Sequence, residues 1–192
     1  SYAIHTIADL RRADVGFLAQ RLGDDAHRLH RLAFGLDDRP VTTDREAKSV
    51  GQEQTFFDPL HTPDAVRAEL LAETEHVAAR LRKARVRART VTVKIRTEDF
   101  RTVTRSQTLP APTDVTAELW SAARACFDAW ALDSFEAVRL IGVQAKELTP
   151  ADEGAQLDLF AQPRHEQQSK LDTAADKIRA RFGPDAIKRL GP

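Results

Sequence analysis

Between Thr90 and Leu109 the chain reads TVTVKIRTEDFRTVTRSQTL, and this stretch constrains the fold more than any other. Val91, Val93 and Ile95 alternate with Thr92, Lys94 and Arg96, the two-residue period of a strand with one apolar face and one cationic, hydroxylated face. Thr97-Glu98-Asp99-Phe100 suits a chain reversal, after which Arg101 to Leu109 returns with Thr102, Thr104, Arg105, Ser106 and Thr108. Hydroxyl and guanidinium groups donate hydrogen bonds to phosphate oxygens, so a sheet turning this face outward is a platform for a polyanion.

The flanking segments supply the rest of a layer. Lys48 to Phe57 reads as a first strand ending near Pro59, and Lys48, Ser49 and Gly51 gather an ammonium, a hydroxyl and a flexible backbone in one place. Thr62-Pro63 is a cap followed by a proline at the first helical position, and Val66, Leu70, Val77 and Leu81 mark one side of a helix running to about Lys83. Beyond the central strands, Pro110 and Pro112 break the chain and Thr113 or Asp114 caps a second helix, with Val115, Leu119, Ala122, Cys126 and Trp130 at helical spacing. Phe135 to Leu148 is the fourth strand. The order strand, helix, strand, strand, helix, strand predicts an α+β fold in which two helices cover one face of a four-stranded sheet and the other face stays open. Arg139 belongs near that open face in a regular pleat, but it shares parity with Ile141 and Val143, which marks either a bulge or a half-apolar outer face.

A chain of 192 residues with 42% hydrophobic content supports one good core. It holds no run of about 18 apolar residues, and its beginning has no secretory-signal pattern. The single cysteine, Cys126, excludes an intrachain disulfide, favours an intracellular setting and reads as an inert core thiol. The sequence contains no Met, so Ser1 is read as other than a translation start and the chain as a piece of a longer protein. Formal charge sums to zero, yet ten Lys and Arg residues lie between Val77 and Arg105 against Glu98 and Asp99, while residues 147–163 carry only acidic charges. Such a cationic block supplies phosphate contacts despite the neutral total.

Residues 1–36 read as three short helices capped by Thr6, Asp14 and Asp24, and residues 37–47 as a linker. His27 and His30 share a helix face without a third metal ligand. Residues 48–148 form the main domain. Residues 149–169 are a tail whose apolar island, Gln156-Leu157-Asp158-Leu159-Phe160, has no local core to join and reads as a docking peptide. From Lys170 a last amphipathic helical segment, 170–192, carries Leu171, Ala175, Ile178 and Phe182 on one side.

Taken together, IHTIADL with FGLDDRPV, then KSVGQEQTF, TVTVKIRTEDFRTVTRSQTL with VRLIGV, QLDLF and KLDTAADKIRARFGPDAIKRL resemble, in order, the C-terminal half of bacterial Y-family translesion DNA polymerases. The resemblance implies the end of a thumb, a little-finger domain and a tail that binds the replicative sliding clamp. It implies contacts to the phosphate backbone of primer–template duplex from Lys48, Ser49, Val50, Gly51, Lys94, Arg96, Thr104, Arg105, Ser106 and Arg139. It assigns clamp binding to Gln156, Leu157, Asp158, Leu159 and Phe160. The protein it implies is cytoplasmic, nucleoid-associated and without a membrane partner. Where some relatives carry further basic residues in the last strand, Leu140 and Gln144 are uncharged here.

Nucleotidyl transfer needs carboxylates around two metal ions. In the family these lie in a palm upstream of the thumb, so Mg2+ is expected in the intact enzyme and no cofactor or catalytic residue in this chain. Asp24-Asp25, Asp37-Asp38 and Glu98-Asp99 match no palm motif. Two other readings stand beside this one: a non-catalytic Y-family accessory subunit, separable by the upstream palm carboxylates, and a free-standing nucleic-acid-binding module, which exposed aromatic residues on the strands would favour.

Overall fold

The structure is a computed structural model that describes residues 4–42, 47–152, 162–183 and 186–187. The chain divides into two compact units, residues 1–45 and 46–192. The first unit holds α1 (Ile7–Arg12), α2 (Val15–Leu22) and α3 (Asp25–Ala33). Thr6 caps α1 in a reciprocal box with Asp9, and Asp14 accepts the Phe17 N–H to cap α2, which stops at Gly23 with φ +59°. Asp24 precedes α3 without a side-chain cap, because its own backbone is already helical and its carboxylate cannot turn back onto the first free N–H groups.

In the second unit β1 (Ser49–Leu60), α4 (Pro63–Ala84), β2 (Val86–Thr97), β3 (Thr102–Thr113), α5 (Thr116–Ser134) and β4 (Val138–Pro150) follow the expected order. The strands make one antiparallel sheet in the order β1-β4-β2-β3. Val91, Val93 and Ile95 on β2 pair with Ala145, Val143 and Ile141 on β4, and all six side chains are buried. Val66, Leu70, Val77 and Leu81 of α4 and Leu119, Ala123, Phe127 and Trp130 of α5 join them in one apolar cluster. Cys126 lies in the same cluster, where burial pushes its thiol above its ordinary pKa against the opposing charge of Arg105.

Three boundaries differ from the sequence reading. Pro110 and Pro112 lie inside β3 rather than ending it: the register with β2 slips between Thr108 and Thr113, and an edge strand with a bulge tolerates residues that lack an N–H. The fourth strand begins at Val138 and runs on to Pro150, opposite Val86, while Phe135 packs its ring 5.8 Å from that of Trp130. A sixth helix, α6 (Gln162–Phe182), begins before Lys170, within the stretch read as tail.

Helix α6 docks on the helix layer through charge. Asp172, buried to 1% exposure, accepts the Thr116 N–H at 2.8 Å and faces Arg82 at 3.3 Å. Arg82 also makes a two-pronged pair with Asp176, and Arg179 meets Glu75 at 2.8 Å. The cap of α5 is therefore supplied by another helix: Val115 is its N-cap without a side-chain bond, and Thr113 accepts the Val115 N–H instead.

Candidate nucleic-acid interface

Cross-strand partners share a face, so the register writes out the uncovered side of the sheet as four rungs. From β1 to β3 these are Ser49–Lys146–Thr90–Thr108, Gly51–Gln144–Thr92–Ser106, Glu53–Gly142–Lys94–Thr104 and Thr55–Leu140–Arg96–Thr102. Leu140 is the only large apolar residue among them, and it is 4% exposed. The remainder are hydroxyls, an amide, cations, one carboxylate and glycines.

The polar groups on this face are tied to one another before any ligand arrives. Thr92 and Ser106 hydroxyls are 2.9 Å apart, and those of Thr90 and Thr108 are 3.1 Å apart. The Gln144 amide donates to Ser49 Oγ at 2.9 Å, Arg96 Nε donates to Thr102 Oγ1 at 3.0 Å, and Lys94 Nζ meets Glu53 Oε2 at 2.9 Å. Thr90 also donates to Glu147 Oε2 at 3.1 Å, bringing a second carboxylate toward the face. The bonds among hydroxyls, amide and guanidinium hold these side chains in set positions and lower the ordering entropy that a phosphate contact would otherwise cost.

Six of the ten residues that the resemblance assigns to DNA lie on these rungs, Ser49, Gly51, Lys94, Arg96, Thr104 and Ser106, as do the hydroxyl residues Thr92, Thr102 and Thr108. Lys48 is exposed immediately before the first rung. Arg139 is the extra residue of a bulge, because Arg96 pairs with Leu140 while Thr97 pairs with Val138. Its guanidinium lies 5.0 Å from the centroid of the exposed Phe100 ring, at the β2–β3 turn.

Two residues fall elsewhere. Val50 pairs with Ala145 and turns its side chain into the core, leaving only its backbone near the face. Arg105 pairs with Val93, so it is exposed on the helix side of edge strand β3, near Cys126. The sequence grouped it with its neighbours Thr104 and Ser106, but a strand sends successive side chains to opposite faces. Gln144 and Lys146 are face residues that the sequence reading did not name as candidates. Their signal was the even-numbered alternation Leu140, Gly142, Gln144, Lys146 against Ile141, Val143 and Ala145. The clamp-peptide assignment, Gln156 to Phe160, lies outside the described residues.

No cluster of three or more His, Cys, Asp or Glu side chains able to hold a metal occurs among the described residues. Asp25 is paired with Arg28, Asp37 with Arg39 and Asp38 with Arg31. No helix among the described residues is long and apolar enough to cross a membrane.

A three-dimensional match to a Y-family DNA polymerase chimera, with TM-score 0.55 and 17% identity over 76% of this chain and 41% of that one, gives the class of fold. The family profile described as the impB/mucB/samB family C-terminal domain matches residues 47–159. The chain belongs to this family, the Y-family polymerases, and carries its C-terminal domain. It is 39% identical over 184 residues to a DNA polymerase IV of Caulobacter vibrioides, covering 96% of this chain and 45% of that protein. A DNA polymerase IV of Desulfatibacillum aliphaticivorans is 35% identical over 189 residues, with 98% and 48% covered. One from Streptomyces coelicolor is 36% identical over 160 residues, with 83% and 32% covered. The chain spans less than half the length of these curated relatives.

Proposed function

We propose that this chain is the DNA-holding and clamp-tethering portion of an error-prone translesion DNA polymerase. The open face of the sheet lies along the phosphate backbone of primer–template duplex, and template-directed nucleotidyl transfer takes place in the palm of the intact protein, with its Mg2+ ions. The observation that carries the reading is the four-rung face itself. Hydroxyls, an amide, ammonium groups and a guanidinium are spread over a broad surface, a set of groups suited to phosphates of any sequence. Lys48 and Arg139 extend the face at two of its margins. Residues 156–160 dock on the sliding clamp and keep the polymerase near the template by raising its local concentration.

The test is duplex binding by fluorescence anisotropy across a salt series, on two primer–templates of unrelated sequence. Arg96→Ala is expected to weaken both equally and to lower the log–log salt slope by about 0.9, the loss of one phosphate contact. Arg105→Ala, on the other face, is expected to change the slope less. An unaltered slope in Arg96→Ala would remove the rungs from the DNA surface.

A further inference from the structure

We propose that Glu53 is an internal stand-in for a DNA phosphate: its carboxylate holds the seat on Lys94 that a backbone phosphate takes when duplex lies on the sheet. The inference rests on the reading of the open face as a phosphate-binding surface. Glu53 and Lys94 do not sit on neighbouring strands. β4 runs between β1 and β2, and the ammonium crosses it at Gly142 to reach Oε2 at 2.9 Å.

Position 142 must lack a side chain for this arrangement. A Cβ there would come 2.7 Å from Glu53 Cβ and 3.2 Å from the Gln52 carbonyl oxygen, and neither atom belongs to a flexible chain end. The glycine thus opens a trough across the sheet, lined further by Gly51, Thr92, Thr104, Gln144 and Lys146. Into this donor-rich trough β1 places a carboxylate, an acceptor-only anion with no base to read. The Glu53 side chain is 53% exposed and that of Lys94 36%, so solvent screens the pair and an incoming phosphate can displace it.

The consequence is an exchange of anions on Lys94. Contact with DNA is gained as the contact with Glu53 is lost, which lowers the net affinity of this seat for any one phosphate. A weak, quickly renewed contact suits a surface that must advance along the duplex.

Anisotropy titrations of the chain with primer–template duplex at several salt concentrations test the assignment. They compare the parent with Glu53→Gln and with Glu166→Gln, which removes the same charge from an exposed position on α6. Glu53→Gln is expected to tighten binding about threefold or more and to steepen the salt slope by about 0.9, one further phosphate neutralised, with smaller changes in Glu166→Gln. Equal effects from the two variants would reduce Glu53 to a share of net charge and overturn the assignment, as would no change in Glu53→Gln. If Glu53→Gln is silent while Arg96→Ala weakens binding, the Glu53 assignment alone falls. If Arg96→Ala also leaves binding and slope intact, the phosphate-binding reading of the face falls with it.

Discussion

Glu73 is a buried carboxyl on α4 whose Oε2 has no hydrogen-bond partner, and burial raises its pKa, with Glu69 adding to the rise and His76 opposing it. A carboxyl with a folded pKa above its unfolded one binds more protons in the folded chain between the two values. Its contribution to stability therefore falls as pH rises through that window and is least favourable above the folded pKa. Glu73→Gln removes the buried charge and is expected to raise stability at pH 7 by about 1 kcal/mol. The gain should shrink as pH falls through the ordinary carboxylate range and vanish at about 3, well below it, where Glu73 is protonated in both states. Urea denaturation at the two pH values checks this, and an equal gain at both would assign the effect to packing. Single residues were legible where their environment is local. Thr6, Asp14 and Thr62 cap helices as their positions require, whereas the partner of Asp172 lies 90 residues away at Arg82 and no local pattern announces it.

At the scale of elements, α6 shows how an amphipathic pattern can point the wrong way. Leu171, Ala175, Ile178 and Phe182 suggest an apolar docking stripe, yet Leu171 and Phe182 remain exposed while Asp172, Asp176 and Arg179 face the body. The reason is what the helix layer offers: the side-chain-uncapped N-terminus of α5 and the nearly buried Arg82, both of which call for an anion. Asp172→Ala should cost about 1 kcal/mol for the lost cap and about 1.5–3 kcal/mol for the charged hydrogen bonds. Asp176→Ala, at a more exposed position, should cost less. Denaturation midpoints of the two variants decide it, and equal losses would mean that the cap contributes nothing. The strands divide in the same manner. The β2 alternation is legible because its pleat is regular from Thr90 to Arg96, and the parity of Arg139 with Ile141 and Val143 signals its bulge as one of two readings, whereas the β3 prolines resisted because a bulge is set by the partner strand as much as by the sequence.

The whole molecule combines a neutral total charge with a cationic open face, so on the proposed function its attraction to a polyanion would be local and the salt dependence of binding would count contacts on the sheet. On the proposed function, such a surface would hold duplex without regard to sequence, and with Lys94 engaged by Glu53 it would hold it weakly, so that residence on the template would need a second attachment. We assign that role to residues 156–160, whose Leu157, Leu159 and Phe160 connect in sequence to β4 on one side and to the pinned helix α6 on the other. Linking a weak DNA contact to a weak clamp contact can raise the overall affinity by about 10²–10⁴ without any new contact. Calorimetry of the chain against its host's sliding clamp should show binding that Leu159→Ala with Phe160→Ala abolishes, and the same double change should leave duplex binding without clamp unaltered. Loss of both activities in the variant would mean that the island supports the fold. Clamp binding that survives it would place the tether elsewhere in the chain, and no clamp binding by the parent would leave the sheet as the sole attachment to the template.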